Sequence, residues 1–141
     1  MMNRVAVAFI SFVCGSALGL EGARHLLAPS AGAGYLTEML VRQDLQNLPG
    51  QEALVFSSTW APGARLSWHM HPRGHEFTLV IEGEQTFHLA DGVVKKVKAG
   101  EVIYTPPDEP HFGENATDKP SKTVVFRIKE KSQPIMVELK K

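Results

Sequence analysis

The sequence predicts an all-β domain, an antiparallel sandwich or barrel, on three observations. Beyond Pro49-Gly50 the chain breaks into short runs rich in β-branched and aromatic residues, each closed by glycine, proline or aspartate. About nine such runs follow one another at close spacing, the rhythm of a sandwich or barrel. Asp91-Gly92 lies between two apolar runs, the strongest short hairpin signal, and a type I′ turn with positive φ at both residues is expected there.

Taken in order, residues 1–4 are a short basic opening and residues 5–20 an uncharged apolar run. Together they have the n- and h-regions of a secretory signal peptide. The run falls short of the roughly 20 apolar residues that cross a bilayer as a helix, so a retained anchor is the second choice. Ala17 and Gly19 suit cleavage after Gly19, which makes 1–19 a leader and the protein an exported one, periplasmic or secreted. Residues 20–48 read as linker and N-terminal arm: 22–34 is crowded with small residues and Pro29, and 35–48 is either a short helix or a strand. Residues 49–141 form the β domain, with strands expected at 53–60, 66–71, 76–81, 85–90, 93–98, 102–105, 111–114, 123–128 and 135–139. Lys95, Lys96 and Lys98 crowd the run at 93–98 and mark it as an edge strand protected from further pairing.

Composition narrows the function. The 141 residues suffice for one domain and not two, and 15 basic against 15 acidic residues leave a net charge of zero. Nucleic acid and anionic lipid are therefore poor partners, and a stable membrane span is not expected after processing. One cysteine, Cys14, excludes an internal disulfide and a cysteine-cluster metal site.

The chemistry lies in two segments. In His69-Met70-His71 the histidines are two apart, so on a strand both imidazoles leave the same face. His71 and His75 have helical spacing, but Pro72 and Gly74 between them forbid a helix. On a strand starting at Glu76, the residues Glu76, Thr78 and Val80 share one face and Phe77, Leu79 and Ile81 the other. An inward carboxylate needs a cation or hydrogen-bond donors, and metallated histidines would meet that need. Parity puts His75 opposite Glu76, although a one-residue bulge would exchange the two. The second segment, Gly100 to Asn115, adds His111 after a proline-fixed turn.

Here the residues resemble a family. Gly63-x5-His69-x-His71-x4-Glu76-x6-Gly83 is similar to the first cupin motif at every fixed position, and Gly100-x5-Pro106-x-Asp108-x2-His111-x3-Asn115 to the second at all but Asp108, where glycine is usual. Aspartate tolerates left-handed turns, so the loop is expected to survive. The resemblance implies a single conical jelly-roll barrel, a double-stranded β-helix, in which His69, His71, Glu76 and His111 hold one divalent transition metal; three neutral imidazoles and one carboxylate suit Fe, Mn, Ni, Cu or Zn without choosing among them. The stretch GHEFTLVIEGE resembles quercetin-dioxygenase-like cupins and implies a metal-dependent enzyme oxidising a small organic substrate, with Glu76 as both ligand and catalytic proton acceptor. The alternative is a non-catalytic exported module that binds a small molecule or a metal. The strand at 76–81 is apolar on both faces and needs outside cover from a second layer, the arm or another subunit; cupins are commonly dimers, which makes a homodimer the expectation. Tyr104 is the candidate pocket hydroxyl, while His88 and His25 read as incidental surface residues.

Overall fold

A computed structural model describes residues 34–140; the expected leader and nearly all of the linker lie outside them. Ten strands run in chain order: β1 (Tyr35–Asp44), β2 (Gln51–Trp60), β3 (His69–Met70), β4 (Gly74–Glu82), β5 (Glu84–Leu89), β6 (Val94–Lys98), β7 (Val102–Thr105), β8 (His111–Glu114), β9 (Ser121–Glu130) and β10 (Val137–Glu138). They form two antiparallel five-stranded sheets, ordered β1-β2-β9-β4-β7 and β10-β3-β8-β5-β6. No helix occurs among the described residues, and therefore none there is long and apolar enough to cross a membrane.

The segment 35–48, open between helix and strand, supplies β1, which pairs with β2 from Tyr35↔Trp60 to Asp44↔Glu52 across a bulge between Met39 and Val41. Two other expectations are corrected. The strand at 66–71 shrinks to His69–Met70, because Arg65 bridges Glu114 while His69 pairs His111. Between those points Leu66 to Trp68 face only Phe112 and Gly113, and the surplus residue breaks the ladder. The Asp91-Gly92 turn is not type I′, since only Gly92 has positive φ, at 83°. Leu89 accepts from the Gly92 N–H at 3.1 Å and donates to Val93 O at 2.9 Å, which gives a three-residue loop ending in a left-handed glycine.

Alternation positions the interior. Glu52, Leu54, Phe56, Ser58 and Trp60 of β2, Ser121, Thr123, Arg127 and Lys129 of β9, and Glu76, Thr78 and Val80 of β4 are all buried. Val80 joins Phe87, Val97 and Ile103 in an apolar cluster. Gly83, between β4 and β5, has φ 76°, and a side chain there would meet Ser121 Cβ at 2.9 Å, so both backbone and space demand glycine. The opposite face of the β9-β4-β7 region is apolar and open: Phe77, Ile81, Val102, Tyr104, Phe126 and Ile128 are exposed. Because β1 adds to the sheet edge, it extends this layer rather than covering it. The lysines Lys95, Lys96 and Lys98 do fall on β6, an edge strand.

Candidate metal centre

Cross-strand register assembles the site. β3 and β8 pair His69 with His111, so their rings stand side by side with centroids 4.4 Å apart. His71, two residues on, follows to the same side, 5.0 Å from His69 and 5.1 Å from His111. All three are buried, and one ring nitrogen from each lies within 4.8 Å of the others. The other nitrogens fix the tautomers. His69 Nδ1 meets Ser67 O at 2.8 Å, His71 Nδ1 meets Ile135 O at 2.9 Å, and His111 Nδ1 meets Glu109 O at 2.9 Å. A carbonyl only accepts, so each Nδ1 carries the proton and each Nε2 is left with its lone pair. Three rings so oriented are what a metal-ligating histidine set requires of its outer hydrogen bonds. Burial first, and then the neighbouring His111 and His71, lower the His69 pKa to about 3, so its neutral form persists. The His71 pKa is lowered too, again mainly by burial.

Glu76 enters from β4. Its Oε2 stands 3.0 Å from His71 Nε2 and its Oε1 3.8 Å from His111 Nε2. Two lone-pair atoms so close need a cation, and Arg127 of β9 supplies one: Nη2 donates to Glu76 Oε2 and, at 3.1 Å, to His71 Nε2. Thr78 Oγ1 donates to Glu76 Oε1 at 3.3 Å. Burial would raise the Glu76 pKa, but Arg127 and then His71 outweigh it and hold the carboxyl well below its usual range. These side chains line one cavity of about 370 Å³ whose remaining wall is largely apolar, including Phe56, Phe87, Val125, Ile135 and Met136.

His69, His71, Glu76 and His111 are thus brought together at one place, with Glu76 inward. His75 is exposed, and its Nδ1 meets Tyr104 Oη at 2.9 Å. Tyr104 is therefore not a pocket hydroxyl. On β7 it is Ile103 and Thr105 that turn inward, and parity sends Tyr104 out. Thr78 does line the cavity. Asp108 adopts φ 63°, the left-handed geometry of the usual glycine, and uses its side chain as well: Oδ1 accepts the Arg73 N–H at 3.2 Å while its own N–H donates to His71 O at 3.2 Å. The departure from the motif thereby ties the loop after His71 to the loop before His111. Asn115 spans the β8–β9 connection, donating to Trp60 O at 3.2 Å and Lys119 O at 2.7 Å. His88, read as incidental, stacks on Phe112 at 4.2 Å and pairs with Glu114 at 2.8 Å.

Arg127 was missed by sequence reasoning, as were Glu52 and Lys129, a fully buried ion pair at 3.0 Å. The alternation gave no signal for them: residues 121, 123, 125, 127 and 129 share one strand face, but the other face holds Val124, Phe126 and Ile128, the more apolar set, which pattern alone would turn inward.

Comparison with known proteins agrees with this architecture. A family model described as a cupin domain matches residues 56–127. The (R)-mandelonitrile lyase of Granulicella tundricola is 36% identical over 56 residues, 40% of this chain and 42% of that relative. The match thus spans less than half of that curated relative. A crystal structure of an uncharacterised Klebsiella pneumoniae protein with a double-stranded β-helix domain aligns with TM-score 0.63 and 21% identity over 79% of this chain and 89% of that one. A DMSP lyase from Ruegeria pomeroyi aligns with TM-score 0.65 and 15% identity over 82% of this chain and 60% of that one. At those identities the likeness is one of fold, the double-stranded β-helix.

Proposed function

Since this chain belongs to the cupin domain family, we propose that it is a metal-dependent enzyme acting on a small organic substrate. In this reading His69, His71 and His111 hold one divalent transition ion, and Glu76 is both the anionic ligand and the residue that takes a substrate proton. The observation that carries it is the set of three Nδ1–H groups engaged by backbone carbonyls, which turns three Nε2 atoms, that of His71 also accepting from Arg127 Nη2, towards an ionised carboxylate in a largely apolar cavity. The ion supplies Lewis acidity to a substrate hydroxyl, enolate or carbonyl oxygen.

The chain's own residues do the rest. Arg127 holds Glu76 by Oε2, so the carboxylate keeps one orientation, and Oε1, beside the Thr78 hydroxyl, is the atom that receives the proton. The apolar wall excludes water and takes the hydrocarbon part of the substrate. Dioxygenase-like oxidation is the reaction class we favour, on the motif resemblance. Lyase-type cleavage by proton transfer is the second reading, favoured by the 36% match to a mandelonitrile lyase. Metal analysis of protein from its native source, followed by oxygen-electrode assays on phenolic and dicarbonyl substrates, tests the first. Turnover without O₂ uptake selects the second, and a preparation that holds no metal and gains no activity from any of the five ions overturns both. Glu76→Gln separates catalysis from storage: an enzyme keeps part of its metal and loses turnover, whereas a binding module only loses affinity.

We also propose that two copies cover each other's open apolar face around Phe77, Tyr104 and Phe126, and that 1–19 directs export. A monomer by light scattering removes the dimer. N-terminal sequencing that recovers Met1 on a cytoplasmic protein removes the leader.

A further inference from the structure

We propose that Tyr35 is a specificity-determining residue: with Ser58 and Thr37 it forms a hydrogen-bond-accepting pole in the cavity wall, and the substrate is an apolar molecule carrying a neutral donor, a hydroxyl or an N–H, at the end away from the histidines. The inference rests on the reading of this cavity as a substrate site and adds the chemical class that fits it.

Register lays out the cavity in three levels. Thr37 pairs with Ser58 and Ser58 with Thr123, a rung of hydroxyls across β1, β2 and β9. The next inward rung joins Phe56 to Val125, and the one beyond it joins Arg127 to Glu76. The four residues from Thr123 to Arg127 separate the hydroxyl level from the carboxylate level by about 13 Å, at roughly 3.3 Å per residue. Tyr35, Thr37 and Ser58 line the same cavity as Phe56, Val125 and Glu76. A ligand that fills it meets a hydroxyl pole, an apolar middle and the histidine–carboxylate end, in that order.

Proton counting fixes what the pole recognises. Thr37 Oγ1 lies 3.4 Å from Ser57 O, and because a carbonyl only accepts, the single Thr37 proton goes there. Ser58 Oγ, 2.9 Å from Thr37 Oγ1, is therefore the donor of that bond. The 3.2 Å bond between Tyr35 Oη and Ser58 Oγ then takes its proton from Tyr35. All three protons run one way along the chain and reinforce one another. What the Tyr35 hydroxyl has left is lone pairs, which only a donor can meet. Ser58 is buried and Tyr35 half-buried, so the accessible end of the chain is Tyr35. Its ring is held in place, 4.3 Å from that of Trp60, whose Nε1 donates to Thr123 Oγ1 at 3.1 Å. Backbone pairing already joins β1 to β2 from Tyr35↔Trp60 to Asp44↔Glu52, so the strands do not need the hydroxyl chain to stay together. No charged residue lies in this rung, and the pole selects by hydrogen-bond direction rather than by charge.

The test titrates 4-methylphenol and 4-fluorotoluene, probes of nearly one shape of which only the first donates, into the full chain with and without Zn²⁺, followed by NMR chemical shifts. Tyr35→Phe keeps the ring and removes the acceptor. It is expected to weaken 4-methylphenol about tenfold and to leave 4-fluorotoluene within about twofold, with or without Zn²⁺. Comparing each probe between wild type and variant cancels the difference in hydration of the two probes. Ser58→Ala releases the Tyr35 proton and turns Tyr35 into a donor, so 4-methylbenzonitrile, which only accepts, should bind at least about threefold more tightly than to wild type. Ser58→Ala/Tyr35→Phe should lose that gain. No binding of 4-methylphenol by wild type, equal changes for the first two probes in Tyr35→Phe, or no gain of the nitrile in Ser58→Ala overturns the pole. So does a phenol preference that needs Zn²⁺ and survives Tyr35→Phe, which leaves the metal reading standing. Zn²⁺ affinity of His69→Ala and His111→Ala equal to wild type removes the three-histidine metal site instead, and the Tyr35 result is then judged on the metal-free titrations.

Discussion

The two ends of the barrel interior share β4 and its inward parity and yet hold opposite chemistry. Along β4 the inward residues run Gly74, Glu76, Thr78 and Val80, passing from a carboxylate among histidines to a valine that joins Phe87, Val97 and Ile103. At the apolar end burial is non-directional, so its cost and benefit scale with area and volume, and a small change has a small effect. At the polar end Glu52, Lys129, Arg127, Glu76 and three histidines are all buried, and every charge answers to a particular partner. There a change is nearly all-or-none, because removing one partner strands the other. One end gains from the apolar area it buries, and the other depends on each buried charge keeping its partner.

The contrast is broken most severely at the buried ion pair. Glu52→Leu leaves Lys129 without its acceptor in a dry interior and is expected to cost about 3–5 kcal/mol, read from urea denaturation. Lys129→Met should cost less, because Arg42 still holds Glu52 through Nε at 2.7 Å. The double variant Glu52→Leu/Lys129→Met should recover most of the loss; if it is additive, the pair is not coupled as described. At the apolar end the response should be graded. Ile103→Ala is expected to cost about 2–5 kcal/mol and Ile103→Val about 0.5–1.5, both with unchanged m-value.

At the histidines the readout changes from stability to affinity. His111→Ala should weaken metal binding by more than the roughly 10–100-fold that loss of an outer hydrogen-bond partner costs, while metal-free stability falls less than in Ile103→Ala. Isothermal titration and denaturation of the same samples check both halves.

The pH dependence sharpens the comparison further, since only the polar end titrates. His69 has its folded pKa lowered from 6.5 to about 3, so between those values the unfolded chain binds the extra proton and stability is lost as pH falls. Glu76 and Glu52 are also lowered; their contribution is present above about pH 4.5 and disappears as pH falls through their folded values. All three act in one direction, so the urea midpoint of metal-free protein should fall steadily from pH 7 to pH 4. A midpoint that is flat over that range contradicts neutral buried histidines. The smallest effect belongs to His75→Ala, whose ring lies on the outer face against Tyr104. Metal affinity should be unchanged there, and a loss of metal would put the β4 register wrong by one residue.

Much of this was legible in the chain because strand parity is a local property. The succession of strands follows from the turn residues between them, the edge position of β6 from its lysines, and the inward turn of Glu76 and outward turn of His75 from alternation with period two. The tolerance of Asp108 for its left-handed position was legible as well, as a preference of the residue itself. Parity failed where it lacked a reference: Tyr104 was given to the pocket, yet its neighbours Ile103 and Thr105 are the buried ones.

What the sequence by itself determined is therefore the β architecture, the faces of β4, the shared face of His69 and His71 and, through the resemblance to the two cupin motifs, the grouping of these with Glu76 and His111. Only the tertiary structure decided which distant strand faces which. It brought Arg127 of β9 to Glu76 across the β4–β9 ladder, set Lys129 on Glu52, and closed the His71 ring against Ile135 O from the C-terminal segment. A charged residue on a strand carries no mark of whether its face meets water or the interior. That is settled by the register of strands separated by some fifty residues in sequence, where the partner's charge makes burial affordable.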